Sequence, residues 1–127
     1  MHGRAPAQPI LVVEDDDDNR EMLAAMLTMD GYITVAVPNG AEALKAARDY
    51  HPWLILLDVM MPVMSGVDFR TAQLADRELA RIPVVLLTAR HDAELMAQRL
   101  TAAAFLTKPF DAGELLSKVS ALGERQA

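Results

Sequence analysis

The chain has 127 residues, enough for one domain around a single buried core and too few for two. It is 52% apolar, and 12 Lys plus Arg against 18 Asp plus Glu give a net charge of −6, which speaks against direct binding to nucleic acid or to an anionic membrane. The lack of cysteine removes disulfides, thiolate metal sites and cysteine nucleophiles, and makes the cytoplasm the expected compartment.

Residues 1–8 read as a flexible lead-in without a signal-peptide core, and residues 9–123 as the single domain. Ile10 to Val13 is a first strand that runs into Glu14-Asp15-Asp16-Asp17-Asp18, a block of acids whose mutual repulsion needs a compensating feature. A helix is expected after Asp18, with Glu21 completing a capping box. Its apolar stripe of Met22, Leu23, Met26, Leu27 and Met29 ends at Gly31, the methionines being read as core rather than as a metal or cofactor box. Ile33 to Val37 is a second strand, and Asn39-Gly-Ala-Glu42 opens a helix to about Asp49. Trp53 to Leu57 is a third strand ending at Asp58, after which Ser65-Gly-Val-Asp68 opens a helix that fades before Pro83. Ile82 to Leu87 leads to Thr88, and Asp92 opens a fourth helix. Phe105 and Leu106 form a fifth strand before Thr107-Lys108-Pro109, and Asp111-Ala-Gly-Glu114 opens a last helix that ends near Gly123. Residues 124–127 are then a short tail, with no effector module expected.

Near-continuous apolar strands alternating with helices predict a doubly wound α/β domain, a parallel sheet covered on both faces. Ligands in such folds bind outside the carboxyl ends of the strands. The acid block, Asp58, Thr88 and Lys108 all fall at that edge, and Lys108 is one of only three lysines, with Lys45 and Lys118. Each alone has an ordinary reading as a helix cap, a strand-end hydroxyl or a surface lysine; together they point to a site. Converging carboxylates raise one another's pKa unless a cation neutralises them, and all-oxygen ligands suit Mg2+. The later acids of the block suit the start of the first helix, where its dipole favours negative charge.

The fragments "ILVVEDD", "LILLDVMMPVMSG", "IPVVLLTAR" and "FLTKPF", in that order across nearly the whole chain, resemble the receiver domain of two-component response regulators, a stand-alone one like the chemotaxis regulators. The resemblance implies a flavodoxin-like (βα)5 fold with strand order 2-1-3-4-5. It implies that Asp58 is the phosphoacceptor, taking a phosphoryl group from a phosphohistidine, and that Glu14 and Asp15, with Asp58 and the backbone carbonyl of Met60, hold Mg2+. Thr88, Ala89 and Lys108 match positions at the phosphoryl group, and Thr88 with Phe105 the pair that switches on phosphorylation. Arg90 lies where the family tunes dephosphorylation, and Pro109 where a cis bond is common. The implied partners are a sensor histidine kinase or histidine phosphotransfer protein and a downstream protein target, with no direct nucleic acid and no membrane. The chain would be a monomer or a phosphorylation-dependent dimer, and a switch rather than an enzyme acting on an outside substrate.

Other readings stay open at this stage. Asp15 and Asp16 could be the acidic pair in place of Glu14 and Asp15. A pseudo-receiver would use the same fold as an interaction module without phosphorylation, and a flavodoxin-like cofactor binder would need a phosphate-binding loop where the acids stand. The chain also departs from the family. Phe105 lacks the hydroxyl of the commoner Tyr, which predicts a more graded switch. The Thr88 to Lys108 segment is about two residues short, roughly 200° of helix phase. Thr101-Ala102-Ala103-Ala104 stands where a glycine-acidic turn is usual, which predicts an atypical or shortened fourth helix.

Overall fold

The computed structural model describes residues 6–59, 64–89 and 91–126. Five strands and five α-helices alternate: β1 (Ile10–Val13), α1 (Asp17–Met29), β2 (Thr34–Val37), α2 (Gly40–Tyr50), β3 (Leu54–Asp58), α3 (Gly66–Leu74), β4 (Val84–Thr88), α4 (Ala93–Arg99), β5 (Ala104–Thr107) and α5 (Ala112–Gln126), with a 3-10 turn at Leu79–Arg81 before β4. All strand pairs are parallel and the order is β2-β1-β3-β4-β5, the doubly wound arrangement expected. The chain winds outward on both sides of β1 and β3, so the connections leaving these two strands diverge and open a crevice at their carboxyl ends.

Strand alternation sorts the core into two halves. Leu11, Val13, Ile55, Leu57, Val84 and Leu86 face one side and pack with residues of α2, α3 and α4, including Ala43, Ala47, Phe69 and Met96. Ile10, Val12, Leu54, Leu56, Val85, Leu87 and Leu106 face the other and pack with Leu23 and Leu27 of α1 and Leu115, Val119 and Leu122 of α5. β1, β3 and β4 are buried along their whole length, which explains their uninterrupted apolar sequences.

Local capping follows the sequence at α2, α3 and α5, where Asn39, Ser65 and Asp111 accept from the backbone N–H of Glu42, Asp68 and Glu114. The Asn39 side-chain amide also donates to the Glu42 carboxylate at 3.2 Å, a second tie across the first turn of α2. Gly31 follows α1 with φ of 95°, a conformation that costs glycine least, and its N–H returns to the carbonyl of Thr28.

Several expectations are corrected. The first helix starts at Asp17 and is capped by Asp16, whose carboxylate accepts from the N–H of Asn19 at 2.9 Å; the Asp18 and Glu21 capping box is not formed, because the chain turns into the helix two residues sooner. Met22 is 48% exposed and Met29 90%, so neither is core. The buried stripe of α1 is Leu23 and Leu27 with Met26 partly covered, and the two methionines flank it. α5 continues through Gly123 to Gln126, so residues 124–126 are helix rather than tail. Ile33 and Trp53 precede their strands, and Ile82 and Pro83 lead into β4. α4 is seven residues long and ends at Leu100 and Thr101, the latter at φ of 50°. The shortness expected there takes this form.

A polar network on α3 secures that end. Arg70 and Gln73 are 4% and 0% exposed, at positions where the helix faces the core. Arg70 donates from Nε to the Leu100 carbonyl at 2.9 Å, from one terminal nitrogen to Gln73 Oε1 at 2.7 Å, and from the other to the Thr101 carbonyl at 3.0 Å. Gln73 Nε2 in turn donates to the carbonyls of Leu79 and Ile82. The helix "fades" in sequence because two stripe positions are polar, yet both are satisfied.

Candidate functional site

The carboxyl edge of β1, β3, β4 and β5 collects the residues singled out in the sequence. Glu14 follows β1 and is 1% exposed; Asp58 is the last residue of β3 and is 4% exposed; Thr88 ends β4 and is 1% exposed. Lys108 follows β5, half-buried, and its N–H donates to the Thr88 carbonyl at 2.8 Å, so the backbone of one strand end positions the other. The Lys108–Pro109 bond is cis. Ala89 is exposed beside Thr88.

Lys108 Nζ stands 3.3 Å from Glu14 Oε1 and 3.3 Å from Asp58 Oδ2, bridging the two buried acids. Carboxylate oxygens of Glu14, Asp15 and Asp58 all lie within 4.8 Å of one another. Burial, and then the Asp58 carboxyl beside it, push Glu14 above the ordinary glutamate value; desolvation, and then Glu14, push Asp15 up. Burial works against the charge on Lys108, but Asp58 and Glu14 outweigh it and hold the amine above the ordinary lysine value. The site thus carries more carboxylate than its one lysine neutralises. That excess, with an all-oxygen donor set, fits a hard divalent cation such as Mg2+, held by Glu14, Asp15 and Asp58. Met60, expected to add a carbonyl, and Arg90 lie outside the described residues.

The acid block divides by use. Glu14 and Asp15 turn to the cluster, whereas Asp16 caps α1 and Asp17 pairs with Arg20, so the alternative pair of Asp15 and Asp16 is not the one gathered with Asp58. Gly66 closes the floor: its N–H donates to the Val59 carbonyl, and a side chain there would stand 2.7 Å from the Asp58 carbonyl. A cavity of about 230 Å3 opens beside the cluster, lined by Glu14, Asn19, Met22, Lys108, Pro109 and Phe110, which gives the exposed Met22 a place at the rim.

Phe105 pairs with Leu86 in register and Thr107 with Thr88, so alternation puts Phe105 and Thr88 on one face of the sheet. Phe105 is half-buried, packed against the α2, α3 and α4 half of the core, and lines an open groove with Glu94, Gln98, Thr101 and Lys118. Sequence reasoning missed Arg20, which reaches back under the acid block. Its signal was a cation in the first turns of a helix, where the dipole disfavours one.

Among known proteins, the chain is 39% identical over 116 residues to the DNA-binding response regulator MtrA of Mycolicibacterium smegmatis, covering 90% of this chain and 50% of that protein. It is 37% identical over 118 residues to the transcriptional regulatory protein CseB of Streptomyces avermitilis, covering 91% of this chain and 49% of that one. It therefore spans about half the length of these curated relatives. Among solved structures, a signal receiver domain of a histidine kinase from Syntrophus aciditrophicus matches with a TM-score of 0.85 at 36% identity, over 94% of this chain and 92% of that one. The chemotaxis protein CheY4 of Vibrio cholerae matches with a TM-score of 0.84 at 28% identity, over 92% and 99%. With the receiver-domain family model matching residues 10–120, the chain belongs to the response regulator receiver domains of two-component systems.

Proposed function

We propose that the chain is a phosphoacceptor receiver, taking a phosphoryl group from a phosphohistidine onto Asp58 and thereby changing which protein it binds. The observation that carries this reading is Lys108 bridging Glu14 and Asp58 at 3.3 Å each, with Asp15 alongside. An Asp58 oxygen attacks phosphorus as the donor's P–N bond breaks and the imidazole leaves. Glu14, Asp15 and Asp58, with the carbonyl of Met60 by the resemblance, would hold Mg2+, which would supply charge neutralisation at the phosphoryl oxygens. Lys108 and Thr88 contact those oxygens, Lys108 releasing its Asp58 contact to do so, and Ala89 leaves room for them. Thr88 turning toward the phosphoryl group frees space that Phe105 takes, shifting a pre-existing equilibrium at α4, β5 and α5.

The partners are then a sensor histidine kinase or histidine phosphotransfer protein and a downstream protein target, met in the cytoplasm, and the chain acts on no outside substrate. No helix among the described residues is long and apolar enough to cross a membrane.

Incubation with Mg2+ and a small phosphodonor such as acetyl phosphate, followed by intact mass, tests the reading. A single phosphoryl adduct absent from Asp58→Asn supports it. No adduct from the unaltered chain under any donor or Mg2+ concentration would favour an interaction module that works without phosphorylation.

A further inference from the structure

Arg20 lies in the first turns of α1, where the helix dipole disfavours a cation, yet its side chain is only 19% exposed. Its contacts account for the placement. One terminal nitrogen donates to the Glu14 carbonyl at 2.9 Å and, more distantly, to the Asp15 carbonyl at 3.4 Å; the other pairs with the Asp17 carboxylate. Both carbonyls belong to the residues whose carboxylates gather with Asp58. Among the described residues, two cations at this edge divide the work: Lys108 meets the carboxylates, and Arg20 meets the main chain that carries them.

We infer that Arg20 is a positioning residue for the divalent cation: its planar fork fixes the backbone of Glu14 and Asp15 so that their carboxylates already converge before the ion arrives. The inference rests on the receiver reading, in which these carboxylates hold Mg2+. A chain pinned beforehand has less ordering to lose on binding, and partners behind metal ligands commonly set affinity in this way. A lysine cannot take the place of Arg20, because one ammonium does not span two carbonyls and a carboxylate in the geometry of a guanidinium.

Charge and position act in opposite senses here, which makes the idea testable by sign. Removing a positive charge from the neighbourhood of a cation site tightens binding, whereas releasing the loop weakens it. Mg2+ affinity is to be measured by titration calorimetry on the full chain, unaltered and as Arg20→Met and Arg20→Lys, at 0.1 M and 1 M KCl, with thermal melts establishing that each is folded. Binding weakened about 10-fold in Arg20→Met and about 3-fold in Arg20→Lys, and persisting at the high salt that screens charge effects, is the expected result. Arg20→Met binding as tightly as the unaltered chain or more so, or Arg20→Lys restoring full affinity, overturns the inference. Should Arg20→Met fail to fold, Arg20→Lys alone decides by the same criterion. No Mg2+ binding by the unaltered chain would instead remove the receiver reading beneath it, an outcome visible before any variant is compared.

Discussion

Arg70 on α3 donates to the carbonyl of Leu100 at 2.9 Å across a separation of 30 residues, and so ties α3 to the C-terminal end of α4. A buried guanidinium is costly, and burial pulls its pKa below the ordinary arginine value, yet every direction it points in offers an oxygen. Arg70→Leu strands the buried Gln73 Oε1 and frees the half-covered Leu100 and Thr101 carbonyls, and is expected to cost about 2 kcal/mol in chemical denaturation, most of it from the buried acceptor. Amide exchange in the same variant is expected to quicken over Ala93 to Thr101 first. Unchanged exchange there would show that α4 does not depend on the tie.

Lys108 faces the acidic cluster directly, so its removal has the opposite sign to that of Arg20. With Lys108→Met, Glu14 and Asp58 lose their shared cation, and Mg2+ affinity is expected to rise on the order of 10-fold, tempered by the partial exposure of the amine. Phosphorylation by a small donor should nonetheless slow, because the phosphoryl oxygens lose a contact. Calorimetry and time-resolved intact mass separate the two effects, and slower transfer accompanied by weaker Mg2+ binding would contradict this division.

The raised pKa of Glu14 and of Asp15 fixes a pH dependence. Each folded carboxyl keeps its proton above the ordinary values of 4.5 and 3.8, so its contribution to stability is complete below those values and is lost as pH rises through the folded pKa. Lys108, held above 10.5, stays charged across this window and adds no slope. In chelator-treated buffer Glu14→Gln is therefore expected to gain stability relative to the unaltered chain between about pH 4 and pH 7. Saturating Mg2+ should reverse the order at pH 7. Melting temperatures across that range check it, and a constant difference would contradict it.

Asp16 and Asp18 are expected to separate cleanly. Asp16→Ala removes the cap of α1 and should cost about 1 kcal/mol, while Asp18→Ala, in the first turn, should cost less. Neither should abolish the phosphoryl adduct, since neither joins the cluster with Asp58. Loss of the adduct in a folded Asp16→Ala would put the acidic pair one residue later.

Gly66→Ala offers a test from the backbone side. Its added carbon must displace the Asp58 carbonyl or Val59, both at 2.7 Å, so transfer to Asp58 should fall sharply even where the melting temperature changes little. Transfer at the unaltered rate would mean that the loop yields without moving Asp58.

What was legible in the sequence is what is local. Apolar β-branched runs mark β1, β3 and β4, and Asn39, Ser65 and Asp111 mark helix starts, because a cap and its N–H lie three residues apart. The start of α1 was misread because four successive aspartates can each cap a helix, and the choice is made by how soon the chain leaving Val13 must turn back along the sheet. Met22 and Met29 were misread because helical spacing gives the orientation of a stripe but not its width. Arg70 gives no signal in the sequence and Arg20 only its unfavourable place near a helix start, because many of their partners are backbone carbonyls, which carry no mark in the amino-acid code. The edge of the sheet, by contrast, could be read from topology, since in a doubly wound fold strand-end residues far apart in sequence must meet there.

The backbone bond from Lys108 to the Thr88 carbonyl also limits how any message can leave the site. Thr88 is held in register against Thr107, and the preceding Leu87 carbonyl is taken by Val59, so this strand end cannot slide without breaking ties on both sides. The soft coordinate left to Thr88 is rotation about its Cα–Cβ bond, a choice among staggered positions. Information leaving Asp58 by this route would be carried as a rotamer choice, discrete and short in range, rather than as a displacement of the sheet.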